Sequence, residues 1–115
     1  MSEVLNDRVG DKIILMIKIM LELSDEEATA IDRNKDLMEE VGFDSLRAFS
    51  MVTAIHEMLE VDLPDEIDPS SVQTINEVSQ YICNNYEESV INLMLEKSED
   101  EIREVVDEEG AFDDL

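Results

Sequence analysis

Apolar side chains recur at helical spacing along most of this 115-residue chain. Near the N-terminus, steps of three and four residues join five of them into one stripe: Val9, Ile13, Met16, Met20 and Leu23. Two prolines and three glycines leave few points at which helices must end, and aromatic residues make up only 4% of the chain. The sequence therefore predicts one all-α domain that is large enough to bury a hydrophobic core.

The first helix is expected to begin near Val4 or Asp7. Residues 24–27 are typical of a short capped turn, and the polar residues 32–36 predict a surface loop. Three apolar residues that follow this loop are expected to enter the core: Leu37, Val41 and Phe43.

A second helix is predicted from about Ser45 to near Glu60, because its apolar residues fall within one arc at about 100° per residue. Asp44 is a suitable N-cap for it. Residues 68–72 predict a single short turn with proline at a first helical position. Residues 74–77 match a capping box that opens another helix. The buried stripe of that helix is expected to be Ile75, Val78, Ile82 and Tyr86.

Apolar residues after Tyr86 and a second capping-box pattern at 98–101 predict further helix. The first helix also carries a second apolar row: Ile14, Ile17 and Leu21. We hypothesise that a helix containing Val90, Leu93 and Met94 folds back against Ile14 and Leu21. Residues 107–115 are expected to stay loose, and a frayed tail or a self-association surface are the alternatives for the whole extension.

The net charge of −23 limits the possible partners of this chain. Between Arg47 and Lys97 there is no lysine or arginine, so nucleic acid and anionic membranes would be repelled. Partners are expected to carry basic patches. The most apolar stretch, 13–23, is short and interrupted by charges, so it predicts a core helix and no membrane span. The acidic start has no export-signal pattern, which favours a cytoplasmic location.

Neither metal binding nor enzymatic catalysis is favoured by the candidate residues. Residues 32–36 resemble the start of a calcium loop, but Leu37 and Phe43 occupy the positions that require glycine and glutamate. No metal site is expected. Ser45 and the single histidine, His56, would lie roughly 16 Å apart on one helix, beyond hydrogen-bond reach. We therefore expect no enzyme, a surface position for His56, and a merely space-filling role for Cys83.

The string Asp44-Ser45-Leu46 is a candidate modification site. A serine just inside a helix N-terminus is accessible, and the unpaired N–H groups and positive dipole end there favour an attached phosphate. The order of loops and helices around this string strongly resembles the acyl carrier protein family over roughly residues 5–86. The resemblance is carried by Asp36-Leu37, the run from Glu40 to Leu46, the helix to Leu59, the run from Val61 to Glu66, and the run from Ile75 to Ile82.

This resemblance implies a bundle of three long helices and one short helix over residues 1–87, plus an additional helix in an acidic extension, 88–115. It also implies that Ser45 carries 4′-phosphopantetheine from coenzyme A, whose thiol holds acyl groups as thioesters. The implied partners are a phosphopantetheinyl transferase and acyl-loading and acyl-transfer enzymes with basic docking patches, and the chain is expected to be a monomer. The cargo would belong to fatty acid, polyketide or specialised lipid metabolism.

Partner enzymes are expected to dock on the exposed side and flank of the second helix: Asp44, Leu46, Arg47, Phe49, Ser50, Thr53 and Glu57. Leu46 is expected to be exposed, either as a partner contact or as an ordinary surface leucine. Arg47, Ser50 and His56 occupy positions where family members of fatty acid synthesis commonly have acids, which favours a specialised or polyketide-like pathway. The alternative from another class is a cofactor-free acidic helical adaptor.

Overall fold

The computed structural model describes residues 2–64 and 72–109, and in these residues the chain is helical with no strand. The all-α prediction is confirmed. The helices, in chain order, are α1 Ser2–Leu21, α2 Asp25–Thr29, α3 Leu37–Val41, α4 Ser45–Leu59, α5 Ile75–Asn85, α6 Glu88–Leu95 and α7 Glu99–Glu109. The short turn predicted over 68–72 lies outside the described residues except for Val72.

Helix α1 begins at Ser2, earlier than predicted, and contributes the long apolar stripe to the core. Val9, Ile13 and Met16 are buried, whereas Met20 and Leu23 at the end of the stripe are half-buried. The turn predicted at 24–27 is confirmed as the start of α2. There the Ser24 hydroxyl accepts a hydrogen bond from Glu27 N at 3.1 Å, and the Glu27 carboxylate accepts one from Ser24 N at 2.9 Å.

The loop before α4 contains a short helix, α3, that the apolar pattern of the sequence does not predict. The Asp36 side chain caps it by accepting a hydrogen bond from Met38 N at 2.8 Å, and Gly42 ends it with φ +75°. Leu37 and Phe43 are buried on either side of α3, as expected, and Val41 is half-buried. A five-residue helix shows too little periodicity to be recognised from sequence.

The predictions for α4 and α5 are confirmed at their N-termini. The Asp44 carboxylate caps α4 by accepting a hydrogen bond from Arg47 N at 2.9 Å. Thr74 and Glu77 form the predicted capping box of α5, with hydrogen bonds of 3.0 Å in both directions. The stripe of α5 is buried as expected, except that Tyr86 at its end is half-buried.

The C-terminal extension forms two helices, α6 and α7, which we call the C-terminal helix pair. They join the same core as the rest of the chain, through Ile91, Met94, Ile102 and Val106. Both helices pack against α1 and α4, and Ser98 and Glu101 form the predicted capping box at the start of α7. This packing excludes a frayed tail over the described part of the extension.

Two details of the hypothesis for the extension are wrong. Met94 is buried and Val90 is half-buried, as expected, but Leu93 remains 37% exposed because it lies on the outer side of α6. Residues 107–109, expected to be loose, belong to α7 because the capping box and the buried residues of α7 support a helix of three turns. Residues 110–115 lie outside the described part of the chain.

Candidate functional site

The candidate attachment residue, Ser45, is the first residue of α4. It follows Asp44, which is exposed, and precedes Leu46, which is 52% exposed, so both neighbours lie at the surface. The loop leading to it is anchored by Phe43, whose side chain is buried and whose N–H donates to Leu37 O at 3.2 Å. The first turn of α4 is thus held at a fixed place on the surface.

The N-terminus of α4 suits an attached phosphate electrostatically. The first backbone N–H groups of a helix have no partner within the helix, and the aligned peptide dipoles give this end a partial positive charge. Asp44 caps only one of these groups, and the first turn of α4 contains no acidic residue. The backbone N–H groups of this first turn are suited to donate hydrogen bonds to a phosphodiester at Ser45.

A cavity of about 310 Å³ opens beside this N-terminus. Its walls come from the loop and α3 on one side and from the first two turns of α4 on the other. They include four apolar residues: Leu37, Phe43, Ala48 and Val52. Asp44 lies on its lining, next to Ser45. A predominantly apolar recess is therefore within short reach of the candidate attachment residue.

Large apolar side chains are exposed around the mouth of this cavity. Met38 of α3 is 60% exposed and Phe49 of α4 is 53% exposed, and both line the cavity. The expected exposure of Leu46 is confirmed. Exposed apolar residues that cluster on one face are typical of a binding surface.

The remaining residues of the expected docking surface differ in exposure. Glu57 is exposed, whereas Arg47 and Thr53 are half-buried. Ser50 is only 3% exposed, so its expected place on the docking surface of the exposed side and flank is wrong. The physical reason is that Ser50 and Ala54, both small and both buried, lie at an edge of α4 that is covered by packing.

The expected surface position of His56 is also wrong, since its side chain is 2% exposed. His56 Nδ1 lies 2.8 Å from Val52 O, and because a carbonyl oxygen only accepts, Nδ1 carries the proton. Nε2 then accepts a hydrogen bond from the Tyr81 hydroxyl at 3.3 Å. The Tyr81 and Tyr86 rings lie near His56, each with its centroid 5.9 Å from the imidazole. Burial of a histidine costs little when both nitrogens have partners.

Cys83, Tyr86 and Asp32 do not line the cavity. Burial raises the pKa of the half-buried Cys83 thiol. Burial, followed by a hydrogen bond with Tyr81, raises the pKa of Tyr86 to about 12. The Asp32 carboxylate accepts a hydrogen bond from Asn34 N at 2.9 Å within the loop. In the described ranges, no group of three or more histidine, cysteine or acidic side chains is arranged to hold a metal ion.

No helix in the described part of the chain is long and apolar enough to span a bilayer. This agrees with the interpretation of the apolar stretch in α1 as a core helix. The buried side chains of that stretch, Ile13, Met16, Ile17 and Ile19, belong to the common core.

Comparison with known proteins assigns this site to a family. The family model described as "Phosphopantetheine attachment site" matches residues 15–82, which include Ser45 and the walls of the cavity. The acyl carrier protein of Clostridium perfringens (strain 13) is 30% identical over 77 residues, covering 67% of this chain and 96% of the relative. That of Syntrophobacter fumaroxidans is 28% identical over 78 residues, covering 68% of this chain and 86% of the relative. No solved structure shows significant similarity to the chain.

Proteins of this family are carriers and not catalysts. They hold covalently attached 4′-phosphopantetheine, and they interact with a phosphopantetheinyl transferase and with acyl-handling enzymes. The extent of the family match and the arrangement of α3, α4 and residues 72–73 around the cavity agree with this assignment. The chain belongs to the acyl carrier protein family.

Proposed function

We propose that this carrier is primed at Ser45 and then presents acyl groups to partner enzymes. The Ser45 hydroxyl oxygen forms a bond to the phosphorus next to pantetheine in coenzyme A. The phosphoanhydride bond breaks, and 3′,5′-ADP and one proton are released. The observation that carries the proposal is the place of Asp44-Ser45-Leu46 at the start of α4, inside the region that matches the attachment family.

The residues around Ser45 fit a phosphodiester-linked arm. The N–H groups at the start of α4 favour the phosphate, the exposed neighbours Asp44 and Leu46 leave the transferase room to approach, and Gly42 permits the turn before α4. When bound, 4′-phosphopantetheine supplies a terminal thiol that holds the cargo as a thioester.

The cavity beside Ser45 supports an apolar cargo. Its walls are mainly apolar, and its volume of about 310 Å³ is at the lower end of the usual range for small-molecule pockets. Burying the apolar part of a cargo there would remove it from water. The transfer free energy would favour the bound state by about 25 cal/mol per Å² of apolar surface buried. We propose acyl intermediates of fatty acid, polyketide or specialised lipid metabolism as this cargo.

Partner enzymes are proposed to contact the first turns and the exposed side of α4: Asp44, Leu46, Arg47, Phe49, Thr53 and Glu57. Ser50 is removed from this surface because it is buried. Residues 1–87 are proposed to be the carrier unit, with 88–115 as an extension whose described helices share its core. A cytoplasmic location and a monomeric state stay predictions.

Priming is tested by treating the purified chain with coenzyme A and a phosphopantetheinyl transferase. The intact mass should rise by one phosphopantetheinyl group. The number of thiols in the denatured protein should rise from one, that of Cys83, to two. A cofactor-free adaptor would show neither change, and this result would overturn the proposal.

A further inference from the structure

A second cavity, of about 250 Å³, lies between the middle of α1 and the last residue of α6. It shares no lining residue with the cavity beside the candidate attachment residue. Side chains four residues apart lie on the same face of a helix, so Arg8 stands next to Lys12. The cavity thus brings two cationic side chains together on a chain whose net charge is −23. Its lining residues are Arg8, Asp11, Lys12, Leu15 and Leu95.

The two cations of this cavity lack the carboxylate partners that other basic residues of the chain have. Within the described residues, neither Arg8 nor Lys12 has a carboxylate oxygen at ion-pair distance. The carboxylate on the lining, that of Asp11, forms its ion pair with Arg33 instead. Carboxylates also pair with three other basic residues: Lys18, Lys97 and Arg103.

The ammonium of Lys12 is held in place at this cavity. Lys12 Nζ donates a hydrogen bond to Lys97 O at 2.7 Å, in the turn between α6 and α7. An ammonium has three donors, so the other two can bind a ligand. Burial, followed by the charge of Arg8, lowers the pKa of Lys12, whereas the charge of Glu101 raises it. Because burial and the second cation outweigh the nearby carboxylate, an anion in the cavity would stabilise the charged form of Lys12.

The lining also selects the class of anion. Leu15 and Leu95 offer apolar surface next to the two cations, and a guanidinium matches the geometry of a carboxylate. A doubly charged anion would be repelled more strongly than a singly charged one by Asp11 on the lining. The volume of about 250 Å³ is below the usual range for small-molecule pockets, so the ligand is short.

We propose that this cavity binds a monocarboxylate with a short apolar chain. The carboxylate lies between the Arg8 guanidinium and the Lys12 ammonium, and the chain contacts Leu15 and Leu95. A ligand at this place connects α1 to the C-terminal helix pair, and it raises Tm because the site exists only in the folded state. The proposal goes beyond the function of Ser45 and does not depend on it.

Binding is tested by titrating the ¹⁵N-labelled full chain with sodium hexanoate at constant ionic strength. The backbone amide signals of Arg8, Lys12 and Leu95 should shift saturably, and Tm should rise. Hexanol has the same chain without the charge, and acetate has the charge without the chain. Each should bind at least about tenfold more weakly than hexanoate. Inorganic phosphate should also bind more weakly than hexanoate.

Two variants of the full chain test the roles of the cations. Arg8→Gln and Lys12→Gln should each weaken hexanoate binding about tenfold, because each removes a charge-assisted hydrogen bond. The matched control is Lys35→Gln, which removes one positive charge at an exposed loop residue away from the lining. It should leave the affinity nearly unchanged. Since Arg8 is exposed, Arg8→Gln should fold even if Lys12→Gln does not.

Hexanoate binding that is the same in wild type, Arg8→Gln and Lys12→Gln would overturn the proposal. Shifts confined to Ala48 and Val52 would do so as well, because they would place hexanoate in the cavity beside Ser45. Equal affinity for hexanol or phosphate would show that the chain or the charge alone suffices, and no saturable shift would mean that there is no site. Ser45→Ala should bind hexanoate like wild type, so a failure of priming would leave this proposal intact.

Discussion

Arg33 lies directly against Gly10 of α1, so that a Cβ atom at position 10 would overlap its guanidinium group. The guanidinium forms an ion pair with Asp11 and donates a hydrogen bond to Asp7 O at 3.3 Å. The backbone of Arg33 in turn accepts a hydrogen bond from Asn76 N at 3.1 Å. One residue thus connects the loop before α3 to both α1 and α5.

This contact predicts that the effect of Gly10→Ala depends on Arg33. In an Arg33→Ala background, Gly10→Ala should raise the free energy of unfolding by about 0.5–1 kcal/mol, since alanine is the better helix former. With Arg33 present, the increase in the free energy of unfolding should be smaller or reversed, because the guanidinium must move away from the new Cβ atom. A double-mutant cycle by urea denaturation measures this coupling. Equal effects in both backgrounds would contradict the contact.

Two buried serines should respond oppositely to replacement by alanine. Ser50→Ala should stabilise the fold by about 1 kcal/mol, because it removes a buried hydroxyl without a partner. Ser79→Ala should destabilise it by a similar amount, since the Ser79 hydroxyl lies 2.8 Å from Asn6 O and joins α5 to α1. Chemical denaturation of both variants gives the comparison. A loss of stability in Ser50→Ala would show that its hydroxyl is hydrogen-bonded.

The C-terminal helix pair should be essential to stability. Met94→Ala should cost about 2–5 kcal/mol, because Met94 is fully buried. The neighbouring Leu93→Ala should cost less than about 1 kcal/mol, since Leu93 is 37% exposed. Equal costs for the two variants would contradict the orientation of α6.

Truncation after Glu88 extends this prediction to the whole extension. It removes four buried apolar side chains at a cost of about 1.5–3 kcal/mol each: Ile91, Met94, Ile102 and Val106. The shortened chain should therefore melt far below the full chain or fail to fold. A monomer with an unchanged melting temperature would refute the packing of α6 and α7 against α1 and α4.

The capping box of α7 predicts a specific pH dependence. The hydrogen bond from Ser98 N, followed by that with the Ser98 side chain, lowers the pKa of Glu101 below its ordinary value of 4.5. The stabilisation by this carboxylate is therefore complete above about pH 4.5 and is lost as the pH falls through the lowered pKa.

Glu101→Gln and Glu104→Gln remove the same charge from one helix and provide a matched comparison. At pH 7, Glu101→Gln should have the lower Tm, because only Glu101 caps the helix N-terminus. The difference in Tm should shrink as the pH falls through the lowered pKa of Glu101. A difference that is independent of pH would contradict the role of the Glu101 carboxylate.

The excess of carboxylates predicts that added salt stabilises the protein. A net charge of −23 in 115 residues implies strong self-repulsion in the compact state, which screening reduces. Melting temperature should therefore rise from low to moderate sodium chloride concentration. A flat or falling melting temperature would mean that repulsion contributes little to stability.

Features decided within a few residues could be predicted from the sequence. The start of α4 follows from Asp44, and the capping boxes at 74–77 and 98–101 follow from hydrogen bonds that span three residues. Such contacts require no knowledge of the rest of the chain. The same locality explains why the candidate attachment residue, Ser45, is recognisable at once.

Features decided by distant contacts could not be predicted. The burial of Ser50 has no signal in the residues next to it, and the hydrogen bond of His56 depends on Tyr81, 25 residues further along the chain. A small or polar residue at a helix edge gives no sign of which neighbour will cover it. The cavity likewise exists only because the loop before α4 and the residues before α5 meet there.

Attachment of phosphopantetheine at Ser45 is tested by intact mass spectrometry of two serine variants after treatment with transferase and coenzyme A. Wild type and Ser50→Ala should each gain one phosphopantetheinyl group, while Ser45→Ala should gain none and keep the circular dichroism spectrum of the folded wild type. A mass increase in folded Ser45→Ala would contradict attachment at Ser45.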